Sequence, residues 1–285
     1  GKSPCYVDNS VTDMKLAAKR IMWGKMANAG QTCIAPDYIL CHEDVYESFL
    51  KHAKKCLEDF YEGNPRTSTS FGRIVSSAHA ERLQSILSEK NGRIICGGGA
   101  SPQDRYVDPT IIADVTHDSK VMEEEIFGPI MPVMKVKNHE QAIDIMQKHE
   151  KPLALYLFGK NRQVFDRITS QVTSGGVCVN DTLMHVVGYL PFGGVGSSGV
   201  GSYHGKFSFD DFSHMRAVMR RDDHALLDAP QRYPPYSDGN MKFFLTAAKL
   251  PAIPAIHPTT FRVVALGSVI AMVAVACHRF GLFGA

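Results

Sequence analysis

The sequence predicts an α/β fold built on a largely parallel sheet. Short apolar runs alternate with stretches whose apolar residues recur at helical spacing, the rhythm of repeated βαβ units. One of the runs, Tyr38-Ile39-Leu40-Cys41, is apolar throughout, as a strand buried on both faces should be. A chain of 285 residues, 44% hydrophobic and 21% charged, has ordinary globular composition and is long enough for one large domain or two small ones.

Taken in order, Ser10 to Ala27 reads as a helix, with Ser10-Val11-Thr12-Asp13 as a capping box and Met14, Ala17, Ala18, Ile21 and Met22 on one face. Asn28 and Gly30 end it, and a short loop carries Gln31-Thr32-Cys33. After the Tyr38–Cys41 strand, Val45, Phe49, Ala53, Cys56 and Phe60 mark a second amphipathic helix. Ser76–Leu87 reads as helix, Arg93–Cys96 as strand and Gly97-Gly98-Gly99 as loop. Strands follow at Pro109–Ile112 and Pro132–Val136, then a helix at Glu140–Lys148 and a strand at Leu153–Phe158. A helix at Val164–Ser170 and a strand at Gly176–Val179 complete the alternation.

The last part differs in character. Six prolines fall between Pro230 and Pro258 without a strong period, which predicts an extended connection. Val263 to Cys277 then runs without a charge, flanked by Arg262 and by His278 and Arg279. Fifteen helical residues span about 22 Å, short of the roughly 30 Å hydrocarbon core. Snorkelling by the flanking arginines or continuation through Phe280–Phe283 would close the gap. A membrane anchor is one reading and a buried core helix or a monotopic tail the alternative, and position at the C-terminus beyond a proline-rich spacer favours the anchor. The expected organisation is a domain over 1–229, a linker over 230–260 and a hydrophobic tail over 261–285.

Composition excludes several functions. Thirty-one basic residues against 29 acidic ones offer no concentrated basic face for nucleic acid. Seven dispersed cysteines without Cys-x-x-Cys spacing argue for a reduced intracellular setting and against both a disulfide framework and a structural zinc; no metal is expected. Gly1-Lys2-Ser3-Pro4 has no initiator Met and no apolar leader, so the chain is expected to begin within a longer sequence.

Among the cysteines, Cys33 stands in a Gly/Gln/Thr loop just past a helix, where a thiol can be exposed and small neighbours leave room for a substrate carbon. A thiolate there would be a nucleophile toward a carbonyl; a buried structural cysteine is the alternative. Glu123-Glu124-Glu125 reads by itself as a solvated acidic run, and Gly97–Gly99 lacks both the spacing and the following helix of a phosphate loop.

Gly30-Gln31-Thr32-Cys33-Ile34-Ala35-Pro36-Asp37-Tyr38 resembles the nucleophile segment of the aldehyde dehydrogenase superfamily. Gly1–Asp8 resembles the strand that precedes it, Glu124–Pro129 the segment that meets the nicotinamide ribose, and Pro191–Gly199 with Tyr203–Lys206 the C-terminal catalytic loop. Four such strings in family order cover roughly Gly1 to Tyr236 and point to the class 3 branch, which includes fatty aldehyde dehydrogenases and members with a hydrophobic tail.

The resemblance implies the catalytic domain of that fold and an NAD- or NADP-dependent oxidation of medium- to long-chain aldehydes through a thiohemiacetal and a thioester on Cys33. It places Glu125 on the nicotinamide ribose and Phe127 near the ring, and it puts Trp23 and Phe192 in the substrate tunnel. A core position in the first helix is the alternative for Trp23, and a packing residue before a turn the alternative for Phe192. It further implies a homodimer and, through the tail, a cytosol-facing intracellular membrane such as the endoplasmic reticulum.

The family's general-base glutamate would lie ahead of Gly1, and the Rossmann-like nucleotide domain is not in the sequence. The chain alone is therefore expected to oxidise aldehydes weakly or not at all. Two other functions compete: a non-catalytic truncated isoform that pairs with full-length subunits, and a cofactor-independent thiol esterase or acyltransferase.

Overall fold

A computed structural model describes residues 1–220 and 230–249. The chain divides into two units, Gly1–Met215 and Arg216–Ala285. In the first, seven strands form one sheet in the order β3-β6-β7-β2-β1-β8-β9. They are β1 (Pro4–Val7), β2 (Tyr38–His42), β3 (Arg93–Cys96), β6 (Thr110–Ala113), β7 (Ile130–Val136), β8 (Ala154–Phe158) and β9 (Gly176–Val179). Every pairing is parallel except β3 with β6. The short strands β4 (Ala100–Ser101) and β5 (Tyr106–Val107) form a separate antiparallel pair that sequence periodicity does not reveal.

The strand order follows from buried apolar runs. β1, β2, β7 and β8 lie at the centre, and their side chains are buried almost without interruption. The outermost strands, β3 and β9, expose part of theirs. Right-handed crossovers then allocate the helices. The steps β1 to β2 and β2 toward β7 run one way along the sheet, so α1 (Met14–Met26) and α2 (Tyr46–Phe60) share a face and pack together. The steps β7 to β8 and β8 to β9 run the other way, which puts α4 (His139–Gln147) and α5 (Arg162–Gln171) together on the opposite face. Among the described residues the remaining α-helices are α3 (Ser77–Ser88), α6 (Lys206–Asp211) and, in the second unit, α7 (Asp238–Ala248).

Two local expectations are corrected. The first helix starts at Met14, and its cap is Asp13, whose carboxylate accepts from Leu16 N at 2.9 Å. Ser10, expected in the capping box, turns the other way: its hydroxyl accepts from Lys160 N at 2.9 Å and Asn161 N at 3.0 Å, tying β1 to the turn after β8. The proline-rich spacer is also not wholly extended, because the proline-free stretch from Asp238 to Ala248 forms α7. Apolar segment 263–277 lies outside the described residues. Among the described residues no helix is long and apolar enough to cross a membrane.

Replacing Asp13 by Ala is expected to cost about 1 kcal/mol of stability in urea unfolding, the usual value of a lost N-cap. A loss indistinguishable from zero would show that α1 does not depend on this cap.

Candidate active site

The candidate groups gather at the amino ends of parallel strands. Gly1–Ser3 lead into β1, Asp37 into β2, Glu125–Phe127 into β7 and Lys151 into β8. Open α/β sheets ordinarily place ligands at the carboxyl ends. Here the α1–β2 connection brings the Cys33 loop to the opposite end.

That loop begins with three successive left-handed residues, Asn28, Ala29 and Gly30, at φ of 53°, 53° and 76°. Two of them are not glycine, a strain of order 1–3 kcal/mol each that surrounding bonds must hold. Asn28 Nδ2 donates to the Gln31 carbonyl at 2.9 Å, and Gln31 Nε2 donates to the Asn28 and Arg73 carbonyls at 3.0 Å each. Val75 N donates to Gln31 Oε1 at 2.9 Å. Gly30 is required by contact as well as by φ, since a Cβ there would stand 2.2 Å from the Gly128 carbonyl oxygen. The Cys33 loop thus touches the Glu125–Pro129 segment backbone to backbone.

Cys33 is exposed, as its loop position predicts, whereas Cys5, Cys41 and Cys56 are buried. Its backbone is anchored on the carboxyl side at two successive carbonyls. Ser3 Oγ donates to the Cys33 carbonyl at 3.3 Å, and Tyr156 Oη donates to the Ile34 carbonyl at 2.6 Å. An exposed thiol on an immobilised backbone can attack an electrophilic carbon, with the adjacent N–H available to a developing oxyanion.

A buried ion pair organises the second segment. Lys2 Nζ lies 2.6 Å from Asp37 Oδ2, with both side chains more than nine-tenths buried. Asp37 Oδ1 accepts from Ile126 N at 3.0 Å, and Lys2 also donates to the carbonyls of Glu124 at 2.7 Å and Val121 at 3.2 Å. Arg82 of α3 reaches the Glu125 carbonyl at 3.3 Å and the Ile126 carbonyl beside it. Glu125 is held through its carbonyl by Arg82, and its side chain stays about one-third exposed (32%). Phe127 adopts a left-handed φ of 47° and remains 42% exposed.

Glu125 and Lys2 line a cavity of about 240 Å³ together with His149, Lys151, Ser197 and Ser198. His149 packs its ring on Tyr38 and His117 at 5.4 and 5.1 Å. Burial, reinforced by the charge of Lys2 and by His117, pushes its pKa down to about 4, so it is neutral near pH 7.

The tunnel candidates separate. Phe192 is half-buried, paired through backbone bonds with Tyr203, and its ring lies 6.0 Å from that of His185, which in turn meets Tyr156 at 5.7 Å. Trp23 is 46% exposed and so is not a core residue of α1. It lines a different groove of about 280 Å³ with Met26, Asn28, Phe60, Tyr61 and Ser70. The structure thus links Phe192 to the Cys33 loop by side-chain packing, and it links Trp23 to that loop through Asn28.

Sequence reasoning missed Lys2, Asp37, Tyr156 and Lys25. The last had a readable signal. Lys25 falls on the apolar stripe of α1, three and four residues beyond Met22 and Ile21, and it is fully buried. Its Nζ has no hydrogen-bond partner among the described residues. Burial pushes its pKa down to about 8; Asp37 and Glu125 oppose the shift and Lys2 adds to it.

Comparison with known proteins follows the same lines. The chain matches the Aldehyde dehydrogenase family over residues 1–218. It is 46% identical over 248 residues to aldehyde dehydrogenase family 3 member B1 of Mus musculus, covering 87% of this chain and 52% of that protein. It is 47% identical over 249 residues to family 3 member A2 of the same organism, covering 86% and 51%. The chain therefore spans about half the length of the curated relatives it matches. Among solved structures, the substrate-bound state of Staphylococcus aureus AldH superposes with a TM-score of 0.77 at 42% identity, over 87% of this chain and 54% of that one. Indole-3-acetaldehyde dehydrogenase complexed with NAD+ superposes with a TM-score of 0.67 at 26% identity, over 76% and 45%.

Two measurements check the electrostatics. Asp37→Ala leaves the Lys2 ammonium buried without its anion and is expected to cost about 3–5 kcal/mol in urea unfolding. Lys25 has a lower pKa folded than unfolded, so the unfolded chain holds the extra proton between about pH 8 and pH 10.5 and stability rises with pH there. The stability of the wild type relative to Lys25→Met is expected to climb by about 2–3 kcal/mol from pH 7 to pH 10. A flat difference would mean that Lys25 titrates as an exposed lysine does.

Proposed function

The chain belongs to the aldehyde dehydrogenase family, and from that footing we propose that it forms the catalytic part of an NAD(P)-dependent enzyme of the class 3 branch. The proposed reaction oxidises medium- to long-chain aldehydes to carboxylic acids. The observation that carries it is Cys33, an exposed thiol on a loop fixed at the Cys33 and Ile34 carbonyls.

In this reading the Cys33 thiolate attacks the aldehyde carbon, and the carbonyl π electrons pass to oxygen to give a thiohemiacetal. The Cys33 backbone N–H stabilises the oxyanion. Loss of hydride from the same carbon leaves a thioester, and water cleaves it to the acid and the free thiol. NAD or NADP, when bound, supplies the hydride acceptor. The residues present fit its nicotinamide end: the Glu125 carboxylate borders the 240 Å³ cavity, where it would accept from ribose hydroxyls, and the exposed Phe127 ring would pack near the nicotinamide. Similarity to the NAD-dependent aldehyde dehydrogenase of Sinorhizobium meliloti and to the NAD+ complex described above supports that assignment.

Trp23 and Phe192 are proposed to border the path of the aldehyde chain. The 261–285 segment is proposed to hold the enzyme on an intracellular membrane, cytosol-facing and that of the endoplasmic reticulum, near bilayer-soluble substrate. A homodimer is the proposed assembly. A thiol esterase is the second reading, because the Cys33 loop meets its needs without any hydride acceptor.

Cys33→Ala is expected to abolish the acyl burst with an activated ester, a loss of roughly a thousandfold or more. A retained burst would remove Cys33 from the chemistry. Deleting residues 260–285 is expected to move the protein from the membrane pellet to the soluble fraction. Continued pelleting would rule out the anchor.

A further inference from the structure

Tyr156 occupies an unusual place for a residue that touches no candidate reactant. It lies in β8 between β1 and β9, in register with Cys5 on one side and Cys178 on the other, and it is fully buried. Its hydroxyl stands between two loops. It donates to the carbonyl of Ile34, one residue past the nucleophile, at 2.6 Å, and accepts from Leu183 N at 3.4 Å. Burial raises its pKa far above the usual value, so the hydroxyl keeps the proton that it donates.

Both loops are also seated on α1. The Ala27–Gly30 turn continues that helix directly into the nucleophile loop. On the other side, Thr182 Oγ1 donates to the Arg20 carbonyl at 2.7 Å, and a Cβ on Gly24 would collide with Thr182. Beyond Leu183, His185 lies edge-on to the Tyr156 ring and next to Phe192. A continuous path of contacts therefore runs from the Ile34 carbonyl through Tyr156 and His185 to Phe192.

We propose that Tyr156 is a positioning residue of the acylation step. Its hydroxyl holds the Ile34 carbonyl and with it the Ile34–Ala35 peptide, whose Ala35 N–H donates to the Thr32 carbonyl at 2.9 Å and so fixes the Thr32–Cys33 peptide, with the Cys33 N–H pointing at the oxyanion. The inference rests on the Cys33 reading above. Its energetic basis is the buried Ile34 carbonyl, which has no reason to keep its direction once the donor is removed, because an unpaired buried acceptor is driven to find another partner.

The role separates two reactions of the same thiol. Acylation by an activated ester builds an oxyanion and depends on the direction of the Cys33 N–H; alkylation by iodoacetamide displaces iodide at a saturated carbon and builds none. Tyr156→Phe keeps the ring and removes the hydroxyl. In the 285-residue chain this variant is expected to lower Cys33 acylation at least tenfold, with alkylation changed less than threefold. The buried Cys5 and Cys41 serve as folding reporters, because they alkylate only if the sheet opens.

Equal acylation in wild type and variant would overturn the proposal, and so would acylation and alkylation that fall together. If Cys5 and Cys41 show that Tyr156→Phe has unfolded, His185→Phe answers the question with the Tyr156 hydroxyl in place. Because it alters the ring that packs edge-on against Tyr156, it is expected to lower acylation at least threefold while sparing alkylation, and an unchanged acylation rate would overturn the proposal. Absence of any burst in the wild-type chain would instead defeat the Cys33 reading itself, a result distinct from either failure.

Discussion

The buried pair of Lys2 and Asp37 is the contact on which the site depends. Lys2 comes just before β1 and Asp37 just before β2, so the pair joins the amino ends of adjacent parallel strands. Two charges removed from water gain little net stability from each other alone. Here the remaining hydrogen-bonding capacity is spent on the backbone of Val121, Glu124 and Ile126, which brings the segment carrying Glu125 and Phe127 against the Cys33 loop. The pair is thus a positional device: its geometry determines where a third chain segment runs.

Close backbone contact completes what the charges begin. The Gly30 and Gly128 backbones meet where a side chain would collide, and the left-handed Asn28 and Ala29 bend the chain toward that contact. The strain is held by the Gln31 amide, which bonds both its own loop and the segment around Arg73 and Val75. Gln31 therefore matters as a brace, even though it lies two residues from the thiol.

Much of this was legible from residue order. The alternation of runs located the strands and most helices, and the Gly30–Tyr38 string singled out Cys33 from six other cysteines. The helix start was displaced because Ser10 and Asp13 are both competent caps, and only the return of the chain after β8 engages Ser10 elsewhere. Helix α7 was hidden by surrounding prolines, although none falls within it. Trp23 could not be assigned from α1 alone, because its exposure depends on what α2 and the following turn leave uncovered.

The sequence by itself determined the α/β class, the largely parallel sheet and the exposed Cys33 loop, because period, run length and local string are properties of neighbouring residues. Tertiary structure decided that Lys2 pairs with Asp37, that Tyr156 bonds Ile34 across more than a hundred residues, and that the buried Lys25 Nζ meets no hydrogen-bond partner among the described residues. Those outcomes depend on strand order, and order in a parallel sheet arises from crossovers that bring distant strand ends together. Residue types announce that a charge or hydroxyl is present; only the packed sheet selects the group it meets.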